Sequence, residues 1–172
     1  MKKILNKLDY HEDEVTLKLF NEFKSIRIQG YLTKVQLIKI LRWKSPRPLR
    51  FYEENNEKFI KETTAMAFSA KNDLLKIHIL TALSGVNYPA ASAVLMFYDR
   101  KRYPVLDIRV WKQLYTANLV DTNSRGQNFT LKQCEVYFNV IRQLATDSKL
   151  NARQVEKILF EYDKKNQVGN LY

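Results

Sequence analysis

Apolar residues recur at three- and four-residue intervals along nearly the whole chain, and only four glycines and four prolines interrupt its 172 residues. A helix turns once every 3.6 residues, so that spacing gives each segment one apolar stripe, where a strand would need strict alternation. The pattern predicts an all-α fold: a helical bundle of about eight or nine helices in a single domain, residues 1–172, with a loose tail from about residue 165.

Capping chemistry places the boundaries. Residues 13–28 read as a first helix with Val15, Leu19, Phe20, Phe23 and Ile26 on its inner stripe, ended by Gly30. Thr33 with Gln36 makes a capping box for the next helix, whose Val35, Ile38 and Leu41 point inward until Ser45-Pro46 stops it. The basic, proline-marked stretch SPRPLRFYEEN then leads to a helix over 56–70 that buries Phe59, Ile60, Thr63 and Ala67. Asn72 caps a helix carrying Leu75, Ile79, Leu80 and Leu83 on its inner face. Later starts fall at Asp107 ahead of IRVWKQLY, at Thr130 with Gln133, and at Asn151 with Gln154, while DTNSRGQN reads as a surface loop.

Charge bounds the partners. Lys and Arg number 29 against 18 Asp and Glu, a formal net charge of +11, and the summed field attracts polyanions. Cys134 is the only cysteine, which excludes an internal disulfide, a four-cysteine cluster or an all-cysteine zinc site, and it reads as core packing. His11 and His78 lack any metal-binding spacing, so no metal site is expected. No apolar run approaches membrane-spanning length and no signal-peptide core follows MKKIL, so the expected setting is cytoplasmic, without a membrane partner.

One stretch, LSGVNYPAASAVL at residues 83–95, stops a helix, turns and restarts at once on Pro89, which marks a helix-hairpin-helix over about residues 73–98. The plain reading is a chain reversal: Gly85 after a helix C-terminus, Asn87 tolerant of left-handed backbone, Pro89 in a first turn with no amide to lose. A second reading uses the same geometry. Such a turn presents consecutive backbone N–H groups and the positive end of a helix, which suit a phosphate. Ser84, Gly85, Val86, Asn87 and Tyr88 are the candidate contacts.

These residues resemble the helix-hairpin-helix DNA glycosylase superfamily with a Gly/Pro-rich loop and a catalytic aspartate, as a divergent 8-oxoguanine-glycosylase-like member. The family hairpin reads approximately Leu-Pro-Gly-Val-Gly-x-Lys-x-Ala and is followed by Pro-Val-Asp opening a helix. Leu83, Gly85, Val86 and Ala91 match, and Pro104, Val105 and Asp107 follow, with Asp107 eighteen positions after Pro89. Asn87 replaces the second glycine, Leu106 is inserted before the aspartate, and Pro89 stands where bifunctional members carry a Schiff-base lysine. The resemblance implies duplex DNA as partner and, without that lysine, monofunctional hydrolysis of a damaged or modified base's N-glycosidic bond. Asp107 would stabilise the positive charge that develops on the sugar. No cofactor is implied beyond a monovalent cation at the hairpin turn.

Around this centre, Trp43 and Trp111 are candidate walls for an extruded base, and Lys44 and Arg47 belong to a basic cluster, LRWKSPRPLR, suited to phosphates. Arg100, Lys101 and Arg102 lie between hairpin and aspartate, and Arg109, where the superfamily often has His, could pair with Asp107 or meet phosphate. Two other functions stay open: a non-catalytic nucleic-acid-binding module, and a helical domain that meets protein partners.

Overall fold

The computed structural model describes residues 1–5 and 10–167, and every regular element among them is a helix. In chain order these are α1 (Lys2–Leu5), α2 (Glu14–Glu22), α3 (Ile26–Gln29), α4 (Lys34–Lys44), α5 (Leu49–Glu54), α6 (Glu57–Ser69), α7 (Asp73–Leu80), α8 (Tyr88–Tyr98), α9 (Ile108–Thr116), α10 (Leu131–Ser148) and α11 (Ala152–Asn166). The all-α expectation holds. Where the uniform pattern suggests one domain, however, the helices form two compact units: Asp13–Asp99, the hairpin unit, and Met1–Glu12 with Arg100–Tyr172, the C-terminal unit. An apolar stripe records that a helix is covered and says nothing about which helix covers it.

In the hairpin unit, α8 packs against α4 and α7, and α6 lies on α4 and α7. Residues 90–97 of α8 are buried all round, as its sequence AASAVLMF allows: the small side chains let neighbouring backbones come close. Phe97 gathers the rings of Phe20, Phe23 and Trp43 at centroid distances of 5.4, 5.6 and 5.1 Å. Burying each such side chain stabilises the fold by about 1.5–3 kcal/mol. Lys76 is buried on α7 and donates its Nζ to the carbonyls of Ala67 and Phe68, closing the C-terminus of α6.

The predicted helix over 13–28 is two helices. Asp13 caps α2, accepting from the Thr16 N–H at 2.9 Å, but the chain turns at residues 23–25, and Phe23 and Ile26 enter the core from either side of that turn. Several predicted inner faces are rotated. Val15, Val35, Phe59 and Leu75 are exposed, while Leu41, Ile60, Thr63, Ala67 and Leu80 are buried as predicted and Thr16 on α2, Leu37 and Ile40 on α4, Thr64 and Phe68 on α6, and Lys76 and Ile77 on α7 are buried beside them. One residue is a 100° step around a helix, so a broad apolar stripe leaves its centre undecided by that much.

The C-terminal unit is built on α11, which meets α1, α9 and α10. Cys134, Tyr137, Phe138 and Ile141 of α10 are buried, and burial pushes the Cys134 thiol up to about 12. Within this unit Arg153 is buried and doubly bonded to Glu12, at 2.9 Å through both Nε and Nη2, with Nη1 on Glu156. The two carboxylates compensate a charge that would otherwise cost several kcal/mol to bury. Burial pulls the Lys157 ammonium down, but its bond to Glu161 and the field of Glu12 outweigh that and hold it above its ordinary value. No helix among the described residues is long and apolar enough to cross a membrane.

Candidate nucleic-acid interface

The chain turns between α7 and α8, and this turn is tied to the end of α5. The Ser84 N–H donates to Asn55 Oδ1 at 2.8 Å, Asn55 Nδ2 donates back to the Ser84 carbonyl at 3.1 Å, and the Ser84 hydroxyl donates to Glu54 Oε2 at 2.9 Å. Val86 is buried and its N–H closes the turn onto the Leu83 carbonyl at 3.0 Å. Asn87 caps α8 by accepting from Ala90, and Tyr88 bonds His78 through its hydroxyl at 3.0 Å. Gly85 has φ +77°, and a Cβ built on it would lie 2.8 Å from Phe51 Cβ and 2.9 Å from the Tyr52 ring. The glycine is therefore required by packing on α5 as well as by its left-handed backbone.

These bonds reduce the row of amides that the sequence offered to a phosphate. Ser84, Val86 and Ala90 have partners inside the unit; Gly85 and Asn87, both exposed, keep N–H groups that can face a ligand. The Leu83 carbonyl accepts the Val86 N–H and the Ser84 carbonyl accepts from Asn55 Nδ2.

The chain that leads into α5 is basic. Across residues 34–52 there are six Lys and Arg and no acid. Residues 46–48 form a turn ahead of α5, with the Leu49 N–H on the Pro46 carbonyl and the Phe51 N–H on the Pro48 carbonyl; Arg47 is exposed in that turn, and Arg50, Phe51 and Glu54 are exposed on α5. The Arg50 guanidinium lies 4.5 Å from the Phe51 ring centroid, and Phe51 is 39% exposed. The sequence marks Lys44 and Arg47 in the basic cluster LRWKSPRPLR but reads SPRPLRFYEEN as a connector, where the structure has helix α5. No local pattern could have shown that Glu54 and Asn55 hold the turn at residue 84.

Trp43 is half-buried, edge-on to Phe97, and donates its indole N–H to Thr16 Oγ1 at 2.8 Å, so it is anchored in the aromatic cluster of α2, α4 and α8. Lys44 closes α4 and Arg47 is exposed before α5.

The remaining candidates belong to the C-terminal unit. Asp107 caps α9, its Oδ1 accepting from the Arg109 N–H at 2.9 Å, and it is half-buried. Tyr137, whose hydroxyl donates to the Val105 carbonyl at 2.8 Å, has its phenol held well above its ordinary value by burial and then by the charges of Glu156 and Asp107. Arg109 turns away from Asp107: it pairs with Asp163 of α11 at 3.0 Å and bonds Gln167. Trp111 is fully buried between Phe129 and Tyr137 with its indole N–H on the Asn123 carbonyl at 2.8 Å, so it is a core residue and walls no open pocket. Arg100, Lys101 and Arg102 are exposed, and their carbonyls accept from Arg153 and Ala152 N–H at 3.2 Å and from Arg142 Nε at 3.0 Å. A cleft of about 370 Å³ opens in this unit between α1, α9 and α11, lined by residues including Ile4, Lys112, Gln113, Thr116 and Tyr162; Asp107 does not line it. Comparison with family models, curated proteins and solved structures finds no match to this chain.

Proposed function

We propose that the protein binds DNA through the hairpin unit, with the α7–α8 turn and the basic stretch from the end of α4 to the start of α5 as its surface. The observation that carries this is the seating of the exposed Gly85 on Phe51 and Tyr52 of α5, the helix that carries Arg50 and follows the exposed Arg47. Lys and Arg supply sequence-independent affinity by neutralising phosphates and releasing counterions, and backbone N–H groups fix the strand's position. Glu54 opposes phosphate at one edge of the surface, which favours contact from the Arg47 side.

The test is a titration of labelled duplex DNA at two ionic strengths with the wild type and an Arg42→Ala/Arg47→Ala/Arg50→Ala variant. Affinity should fall with salt, and the variant should lose roughly 0.9 in log–log slope for each phosphate contact removed. Affinity that is absent, or indifferent to salt, would favour the protein-interaction reading instead.

A second proposal retains the glycosylase chemistry implied by the resemblance, with Asp107 as the carboxylate that hydrolyses a modified base's glycosidic bond. Its support is the position of Asp107 at the start of α9, where the amide dipoles favour the ionised form. Asn is as good an N-cap as Asp, so Asp107→Asn leaves α9 capped. Alkali cleavage of modified-base duplexes should then show abasic sites with the wild type and none with the variant; equal release by both would remove Asp107 from the chemistry.

A further inference from the structure

We infer that Phe51, with the Arg50 guanidinium over its ring on α5, is a stacking platform for an unpaired nucleobase, so that the DNA bound here is preferred where it is single-stranded. The inference rests on the DNA-binding reading above and goes beyond it by naming the state of the strand.

Phe51 is exposed although the same helix turn buries Tyr52 almost completely, and the unit has an apolar core that could have taken it. Its Cβ is what supports Gly85, so the backbone and the root of the side chain are fixed by the hairpin while the ring stands in solvent. The Arg50 guanidinium against the ring makes a flat, positively charged π surface. Every base has a π face, so stacking on such a surface tolerates any sequence, but a base inside a duplex has both faces covered by its neighbours. Gly85, whose turn packs on Phe51 and Tyr52, is exposed and can meet the phosphate of the strand whose base is stacked. An exposed apolar ring under a guanidinium suits a polyanion with unpaired aromatic bases better than an apolar protein surface, which would desolvate the Arg50 charge.

The experiment compares a labelled oligothymidylate with a blunt duplex of the same length, using the full chain and the variants Phe51→Ala and Phe51→Trp. Phe51→Ala keeps the Cβ that meets Gly85, so its melting temperature should match the wild type. On the oligothymidylate it should lose about tenfold in affinity, equivalent to about 1.4 kcal/mol, while duplex affinity stays within about twofold, since stacking is given up only where a base is free. Phe51→Trp, with the larger π face, should restore or exceed wild-type affinity for the single strand. If Phe51→Ala weakens both probes equally or neither, or if Trp fails to rescue, the platform is wrong although DNA binding stands. If the wild type binds neither probe in a salt-dependent way, the DNA-binding reading fails and takes the platform with it.

Discussion

Gly85 shows how one residue can satisfy two demands that the sequence alone cannot separate. Its φ of +77° would cost a residue with a side chain about 1–2 kcal/mol, and Gly30, at φ +75°, carries the same demand. The surroundings differ: a Cβ on Gly30 meets nothing within 4 Å, whereas one on Gly85 comes within 2.9 Å of both Phe51 and Tyr52. Gly30→Ala should therefore show the backbone cost alone, and Gly85→Ala should add overpacking of about 1–3 kcal/mol. Urea unfolding of the two variants measures the difference, and equal losses would mean that α5 yields to the added methyl. A DNA-binding defect in a Gly85 variant would then report a displaced α5 as much as a lost amide contact, which is why the arginines are the cleaner probes of the surface.

At the scale of elements, what was legible depended on whether the signal was local. The capping boxes of α4, α10 and α11 form as the Thr33-Gln36, Thr130-Gln133 and Asn151-Gln154 spacings predict, because both partners lie within one turn. The hairpin was legible for the same reason: Asn87 and Pro89 act on the first turn of the helix they begin. Helix α5 was hidden because its two flanking prolines look like a linker, and its start at Pro48 has no side-chain cap to announce it. Inner faces were misjudged where polar side chains take core positions. Thr64 is buried because its hydroxyl bonds the Ile60 carbonyl at 2.7 Å and accepts from the Leu32 N–H at 2.9 Å, a partner thirty-two residues away that no periodicity reveals. Trp111 was assigned to a pocket because its place one turn after Asp107 was visible, while the Phe129 and Tyr137 rings that enclose it come from distant segments.

Over the whole molecule, charge is spread across both units: the hairpin unit has thirteen Lys and Arg against nine acids, and the C-terminal unit sixteen against nine. Net charge therefore cannot say where a polyanion sits, and Arg100-Lys101-Arg102 is an exposed rival to the basic stretch from the end of α4 to the start of α5. The two differ in what their removal should do. Replacing Arg42, Arg47 and Arg50, or Arg100, Lys101 and Arg102, by alanine takes the formal net charge from +11 to +8 in either case, so the long-range field is weakened alike. Field alone steers encounter and fades once the Debye length shrinks to about 8 Å at physiological salt. Contact persists there and sets the salt slope. The Arg42, Arg47 and Arg50 variant should accordingly lose affinity at both low and physiological salt with a shallower slope. The residue 100–102 variant should lose on-rate at low salt and return to wild-type affinity at physiological salt with its slope intact. The reverse outcome would move the DNA surface to the C-terminal unit, where Arg100-Lys101-Arg102 precedes Asp107 by a few residues, and would strengthen the catalytic proposal at the expense of the hairpin.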